Sequence, residues 1–132
     1  MNKSYILLGP PGSGKSTVAK TLCREYQLAH IEVGQALRRV AATHSDLGRL
    51  VHTIIFEKKE LVPIQVVKAV LEHSLTEVQS AILLDGAPRS QEQIGDVLEV
   101  LQRFQKEVAA VLYLDIPLEV VVGRIQKRML CL

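Results

Sequence analysis

The sequence has few features of a secreted, membrane-spanning or nucleic-acid-binding protein. It holds only two cysteines, Cys23 and Cys131, without Cys-x-x-Cys spacing or any other pairing pattern. Free thiols in a reducing compartment are the usual state of such residues. No apolar run reaches the roughly 18 residues of a membrane-spanning helix, and the first residues, MNKS, lead into a strand pattern rather than a signal peptide. We therefore expect a cytoplasmic protein with no membrane partner.

The charge of the chain is also close to balanced. Sixteen Lys and Arg stand against 14 Asp and Glu, which gives a formal net charge of +2, and 48% of the residues are hydrophobic. These values exclude a strongly basic nucleic-acid binder and an intrinsically disordered chain. No repeat, low-complexity segment or linker is visible in the 132 residues. The length and composition predict a single domain, residues 1–132.

The best-defined motif is the segment 9–17, GPPGSGKST, which matches the pattern G-x-x-x-x-G-K-[ST] in full. An apolar run precedes it and a helical pattern beginning at Lys15 follows, so it has the strand–loop–helix context of a phosphate loop. Glycines let successive backbone N–H groups converge on phosphate oxygens, and a helix N-terminus favours anions. The alternative is a glycine-rich turn that binds nothing. On the phosphate-loop interpretation, the residues at the nucleotide are Gly12, Ser13, Gly14, Lys15, Ser16 and Thr17, with Lys15 near the β- and γ-phosphates and Ser16 as a Mg²⁺ ligand.

Short apolar runs alternate with helical patterns along the rest of the chain. Strands are predicted at 5–8, 29–31, 81–84 and 108–114, and helices at 15–26, 33–40, 45–59, from Pro63, at about 90–105 from an S-x-x-Q capping box, and from Pro117. Strands that alternate with helices indicate a parallel sheet covered on both faces. The expected fold class is therefore α/β, a P-loop three-layer α/β/α domain with a parallel sheet of about four strands. The strand-free stretch at about 33–76 predicts a helical insertion.

Asp85 follows the third predicted strand. An acid at the carboxyl end of a buried strand, in the same sheet as a phosphate loop, commonly helps to hold Mg²⁺ directly or through water. The alternative is an acid that only caps the end of the strand.

Four segments together resemble the adenylate kinase family of nucleoside monophosphate kinases, over essentially the whole chain. Segment 84–93, LDGAPRSQEQ, looks like the family signature D-G-F-P-R-T-x-x-Q, and segment 31–38, IEVGQALR, resembles T-G-D-x-L-R. Segment 60–63, ELVP, resembles the G-x-L-V-P turn, and segment 114–128 resembles the strand and arginine-bearing helix of the family. The resemblance implies transfer of the ATP γ-phosphoryl group to AMP, which gives two ADP and needs Mg²⁺. It also implies that the helical insertion binds the acceptor.

The resemblance also implies roles for individual residues. A ring of cations suits phosphoryl transfer, which needs charge neutralisation and positioning. The residues implied are Lys15, Arg89, Arg124 and Arg128 in catalysis; Arg124 on ATP; Arg38, Val62, Gly86, Arg89 and Gln93 on the AMP acceptor; and Ser16 and Asp85 on the metal. For Arg124 and Arg128, four residues apart, the alternative is a solvated helix face.

The chain departs from the family pattern at several positions. Val33 stands where the family has a hydroxyl residue, Gln35 where it has an acid, Lys59 where it has a glycine, and Ala87 where it usually has an aromatic residue. The sequence also stops at Leu132, before the lid, last strand and last helix that the resemblance implies. A catalytically weak or inactive nucleotide-binding remnant or fragment, and a related P-loop kinase of another small molecule, are therefore the alternatives to an adenylate kinase.

Without a following strand, the predicted strand 108–114 should form an edge of the sheet. Its residues are uncharged, and unpaired N–H and C=O groups on such an edge favour pairing with another chain. The sequence therefore predicts self-association or aggregation through this strand, or a partner that supplies the absent strand.

Overall fold

A computed structural model describes residues 2–10, 12–59, 61–115, 117 and 119. Its strands are β1 (Asn2–Leu8), β2 (Ala29–Glu32), β3 (Ile82–Asp85) and β4 (Lys106–Tyr113). Its helices are α1 (Lys15–Tyr26), α2 (Val33–Ala41), α3 (Asp46–His52), α4 (Ile64–Leu75) and α5 (Ile94–Arg103), with a π-helical turn at Thr53–Lys58 and a 3₁₀ turn at Gln91–Gln93. Among the described residues, no helix is long and apolar enough to cross a membrane.

The four strands form one parallel sheet in the order β2-β3-β1-β4. Successive side chains of a strand point to opposite faces, so both faces of a buried sheet need cover. On one face Leu7 and Leu83 pack against Ala19 of α1. On the other, Ile6 and Leu84 belong to the larger core that includes residues of α2, α3, α4 and α5. The predicted α/β class, with three layers and about four parallel strands, is confirmed.

Between β2 and β3 the described chain forms only helices. Ser45 caps α3 by accepting a hydrogen bond from the N–H of Gly48 at 3.0 Å, and Val40, Val51 and Val70 bury this group of helices against one another. The prediction of one helix over 45–59 needs correction, because α3 ends at His52 and the chain continues as a π-helical turn. Pro63 lies at the cap position of α4 rather than in its first turn.

The capping box predicted at Ser90 is not formed. The Ser90 side chain makes no cap hydrogen bond, and a 3₁₀ turn precedes α5, which begins at Ile94. Gln93 does reach back, but its Oε1 accepts from the N–H of Arg89 at 2.7 Å. The glutamine therefore orders the loop before the helix, and the helix starts one turn later than the motif predicts.

Lys59 ends the π-helical turn with a φ of 54°, in the left-handed region. A side chain in this conformation costs about 1–2 kcal/mol relative to glycine. Lys59→Gly is therefore expected to raise the free energy of unfolding by about 1 kcal/mol, measured by chemical denaturation. The matched control is Lys58→Gly, inside the same turn, which should instead lower it by about 1 kcal/mol. Equal effects of the two substitutions would contradict this explanation.

Strand β4 is an edge of the sheet within the described residues, since it pairs only with β1. Val111 and Tyr113 are 54% and 64% exposed. Lys106, the one lysine of this strand, is buried and donates to the carbonyls of Val78 and Ser80, so its charge does not protect the edge. These features are the ones that favour pairing between chains.

We propose self-association through β4 and expect Val111→Lys to reduce it. A charge at an exposed edge position disfavours strand pairing. Sedimentation velocity at roughly tens of micromolar, a range in which exposed edges associate, is the measurement, and Gln102→Lys on an exposed site of α5 is the control. A parent protein that is monomeric at these concentrations, with the β4 amides exchanging freely, would refute the proposal.

Candidate functional site

The phosphate loop connects β1 to α1 and turns on two glycines in the left-handed region. Gly12 has φ 80° and Gly14 has φ 85°. The N–H of Ser13 donates to the carbonyl of Pro10 at 3.1 Å, and the N-cap residue of α1, Gly14, has no side chain that could cap the helix. A β-carbon on Gly9 would lie 2.8 Å from the Oγ of Ser13 and 3.2 Å from the Cβ of Leu114, so a larger residue here would displace its neighbours. The loop thus delivers a helix N-terminus, where N–H groups attract anions.

The carboxylate of Asp85 organises the cations beside the loop. Asp85 is 3% exposed at the end of β3, and its Oδ1 lies 3.2 Å from the Nζ of Lys15. Its Oδ2 lies 3.3 Å from the Nε2 of His30 on β2. Burial raises the pKa of the Cys23 thiol, and the charge of Asp85 raises it further, so Cys23 on α1 stays a neutral thiol near pH 7. The structure brings together the predicted pair Lys15 and Asp85 and adds His30.

A cavity of about 890 Å³ opens at the carboxyl ends of the strands. Ligands of open α/β sheets bind at this edge. The predicted site residues that line it are Gly12, Gly14, Lys15, Ser16, Asp85, Gly86 and Arg89. Residues that line it without having been predicted include Lys20, His30, Glu32, Gln35 and Tyr113. Ser13 is buried behind the loop, and Thr17 is exposed on α1 outside this lining.

The residues predicted for the acceptor lie on α2, on the loop before α4, and in the segment between β3 and α5. Arg89 is exposed and donates from its Nε to the carbonyl of Gly86 at 2.9 Å, which orients the guanidinium. Arg38 is exposed on α2. Its guanidinium lies close to Gly34, since a β-carbon placed on that glycine would be 3.4 Å from the Nη1 of Arg38. Val62 is half-buried against the larger core. Of these, only Gly86 and Arg89 line the cavity, whereas Arg38, Val62 and Gln93 do not.

A family model described as adenylate kinase matches residues 7–129. The chain belongs to the adenylate kinase family. It is 43% identical over 130 residues to an adenylate kinase of Kosmotoga olearia and 38% identical over 130 residues to one of Methanosarcina acetivorans, each match covering 97% of this chain and 60% of the relative. An adenylate kinase of Prochlorococcus marinus strain MIT 9515 is 35% identical over 128 residues, with 97% and 70% covered. The chain therefore spans about 60% of the length of the first two relatives, and the predicted family resemblance is confirmed.

Two departures from the family pattern lie in the packed interior. Val33, where the family has a hydroxyl residue, is 4% exposed, and its Cβ lies 3.5 Å from the position of a β-carbon on Gly86. Ala87 is 1% exposed and belongs to the larger core. Val33 thus has an aliphatic group in place of a hydroxyl, and Ala87 a methyl group in place of an aromatic ring, both next to the predicted acceptor residue Gly86.

The two arginines predicted to face ATP, Arg124 and Arg128, lie outside the described residues, as does Cys131. Their assignment stays a prediction from the family motif. Among the described residues, the cations that line the cavity are Lys15, Lys20 and Arg89, and the imidazole of His30 also lines it and contacts Asp85.

Proposed function

We propose that this chain is a phosphotransferase of adenylate kinase type that moves the γ-phosphoryl group of ATP to AMP and yields two ADP. The observation that carries the proposal is the position of Lys15, at the end of a complete phosphate loop and facing the cavity that Arg89 also lines. Phosphoryl transfer depends on positioning and on neutralising charge that spreads over the phosphate oxygens. A cavity with the loop on one side and a guanidinium on the other supplies both.

On the donor side, the loop and the first turn of α1 bind the β- and γ-phosphates of ATP through backbone N–H groups. Lys15 leaves its ion pair with Asp85 in part and donates to the phosphate oxygens, because a phosphate carries more charge than a carboxylate. The donor set fits Mg²⁺, since the Asp85 carboxylate and the Ser16 hydroxyl offer oxygen ligands and both residues line the cavity. When bound, Mg²⁺ would neutralise part of the phosphate charge. Arg124 and Arg128 would complete the cation ring.

On the acceptor side, Arg89 and Arg38 hold the phosphate of AMP, since a planar guanidinium can donate to two oxygens at once. Gln93 and Val62 contact the base, and the helical insertion at about 33–76 is the acceptor-binding part of a single domain. The Oε1 of Gln93 accepts from the N–H of Arg89, so its NH₂ group is the end available for a ligand. That donor matches the acceptor nitrogen N1 of adenine and opposes the N1–H of guanine.

The acceptor assignment predicts a preference for AMP in a panel of AMP, GMP, CMP and UMP. A site left with unpaired polar groups rejects the wrong ligand. Gln93→Leu should lower kcat/KM for AMP by about 10- to 100-fold, the cost of one or two lost hydrogen bonds, with ATP binding unchanged. Gln79→Leu, on an exposed loop outside the cavity, is the control. A clear preference of the parent for another monophosphate would refute this part of the proposal.

A nucleotide-binding remnant is the second candidate. It is favoured by an intact phosphate loop together with the altered positions Val33 and Gln35. This candidate binds ATP but forms no ADP from ATP and AMP, whereas the phosphotransferase does both. A kinase of an unrelated small molecule is the weakest candidate, because Arg38, Arg89 and Gln93 all suit a nucleoside monophosphate.

A further inference from the structure

We infer that Glu32 is a second carboxylate at the metal of this site and acts on it through the water ligands of Mg²⁺. The inference rests on the proposed function, since it takes ATP with Mg²⁺ as the ligand. It assigns to Glu32 a role that neither the phosphate-loop motif nor the family signature predicts, because the sequence segments that carry them place the metal on Ser16 and Asp85.

The first observation is the pairing of two acids across the sheet. Glu32 is the last residue of β2 and Asp85 the last residue of β3, and the two are direct partners in the parallel register. Side chains of register partners point to the same face of a sheet. Both residues line the cavity that also holds Gly14, Lys15 and Ser16. The two acids therefore line one cavity from adjacent strand ends.

The second observation is that the two acids differ in their partners. Asp85 has Lys15 at 3.2 Å and His30 at 3.3 Å. The Glu32 side chain makes no cap hydrogen bond to α2 and no ion pair with any described residue. An unpaired carboxylate beside a polyphosphate is repelled by it, unless a cation lies between the two. Mg²⁺ keeps several waters when it binds to carboxylates and phosphates, and those waters donate hydrogen bonds to nearby oxygens.

The third observation concerns residue 35, where the family pattern has an acid. Gln35 lines the cavity but is neutral, and the acid stands three residues earlier, at Glu32. This chain therefore presents a carboxylate to the cavity at the end of β2 and an amide at position 35. This arrangement can be reversed by the double substitution Glu32→Gln with Gln35→Glu.

A competing role for Glu32 is to position Arg38. Both side chains lie over Gly34: a β-carbon placed on this glycine would be 2.9 Å from the Oε1 of Glu32 and 3.4 Å from the Nη1 of Arg38. The two groups approach each other over the glycine without forming an ion pair. If Glu32 acted through Arg38, its removal would change the affinity for AMP and leave the metal dependence of ATP binding intact.

The test is calorimetric binding of the imido analogue of ATP, which is not hydrolysed, with and without Mg²⁺. Glu32→Gln should reduce the gain in affinity that Mg²⁺ gives by about 10-fold, as expected for an outer-sphere ligand, while metal-free affinity stays equal or becomes tighter because a negative charge is gone. The double substitution with Gln35→Glu should restore part of the gain. Glu25→Gln, on the exposed side of α1, is the control. Mn²⁺ binding followed by electron paramagnetic resonance gives a second readout that needs no turnover.

The inference would be overturned by an unchanged Mg²⁺ gain in Glu32→Gln, by an equal tightening of analogue binding with and without metal, or by a change in AMP affinity alone. A parent that shows no Mg²⁺ gain would also overturn it. A parent that shows the gain but forms no ADP would overturn the proposed function and leave the inference standing, so the two failures are distinguishable.

Discussion

Lys15→Met is expected to abolish phosphoryl transfer and to weaken ATP binding sharply. Lys15 lies at the start of α1, lines the cavity and contacts the buried carboxylate of Asp85 at 3.2 Å. The substitution removes the charge nearest to the proposed γ-phosphate and leaves Asp85 to repel the nucleotide. Loss of one preorganised charged donor costs at least about 10²-fold in kcat, measured as the rate of ADP formation.

Lys3→Met is the matched control, because Lys3 is exposed at the amino end of β1, away from the cavity. It should change the rate by less than about 2-fold, as expected for a surface position. Unfolding curves of both variants separate a folding defect from a binding defect. If Lys15→Met were folded and turned over ATP like the parent, the phosphate-loop assignment would be wrong.

Arg89→Ala is expected to damage the use of AMP while leaving ATP binding largely intact. The guanidinium of Arg89 is held toward the cavity by the carbonyl of Gly86 at 2.9 Å, and Gln93 fixes the backbone of the same residue. Two charge-assisted hydrogen bonds to a phosphate correspond to about 10²-fold or more in kcat/KM for AMP. Arg89→Lys should recover only part of this loss, since an ammonium group cannot donate in the planar fork of arginine.

Separate titrations with ATP and AMP are the measurement for Arg89. Arg24→Ala, which removes an exposed arginine from the last turn of α1, is the control for charge alone. Equal loss of ATP and AMP binding in Arg89→Ala would contradict its placement on the acceptor side.

The sheet and the phosphate loop could be predicted because their signals are local. Short apolar runs such as 81–84 mark parallel strands, and the loop motif is contiguous and has an obligatory strand before it and helix after it. The π-helical turn after His52 could not be predicted, because its apolar residues recur at spacings that also fit an α-helix. The late start of α5 was missed because Gln93 bonds to Arg89 rather than to Ser90.

The residues missed at the site are those that the sheet brings in from a distance. His30 and Glu32 lie on β2, more than fifty positions before Asp85, and reach it only because β2 pairs with β3. Pairing between distant strands is not encoded in any short window of sequence. One signal was available: His30 and Glu32 are polar residues in a strand of four, where a fully buried strand would be apolar throughout.

The measurement that tests the central claim most directly is ADP formation from ATP and AMP with Mg²⁺, followed by phosphorus NMR, with ATP binding measured on the same preparation. We expect two ADP for each ATP consumed and no consumption of ATP when AMP is left out. In Lys15→Met, ADP formation and ATP binding should both be lost. ATP binding without ADP formation would contradict a phosphotransferase and favour a nucleotide-binding remnant.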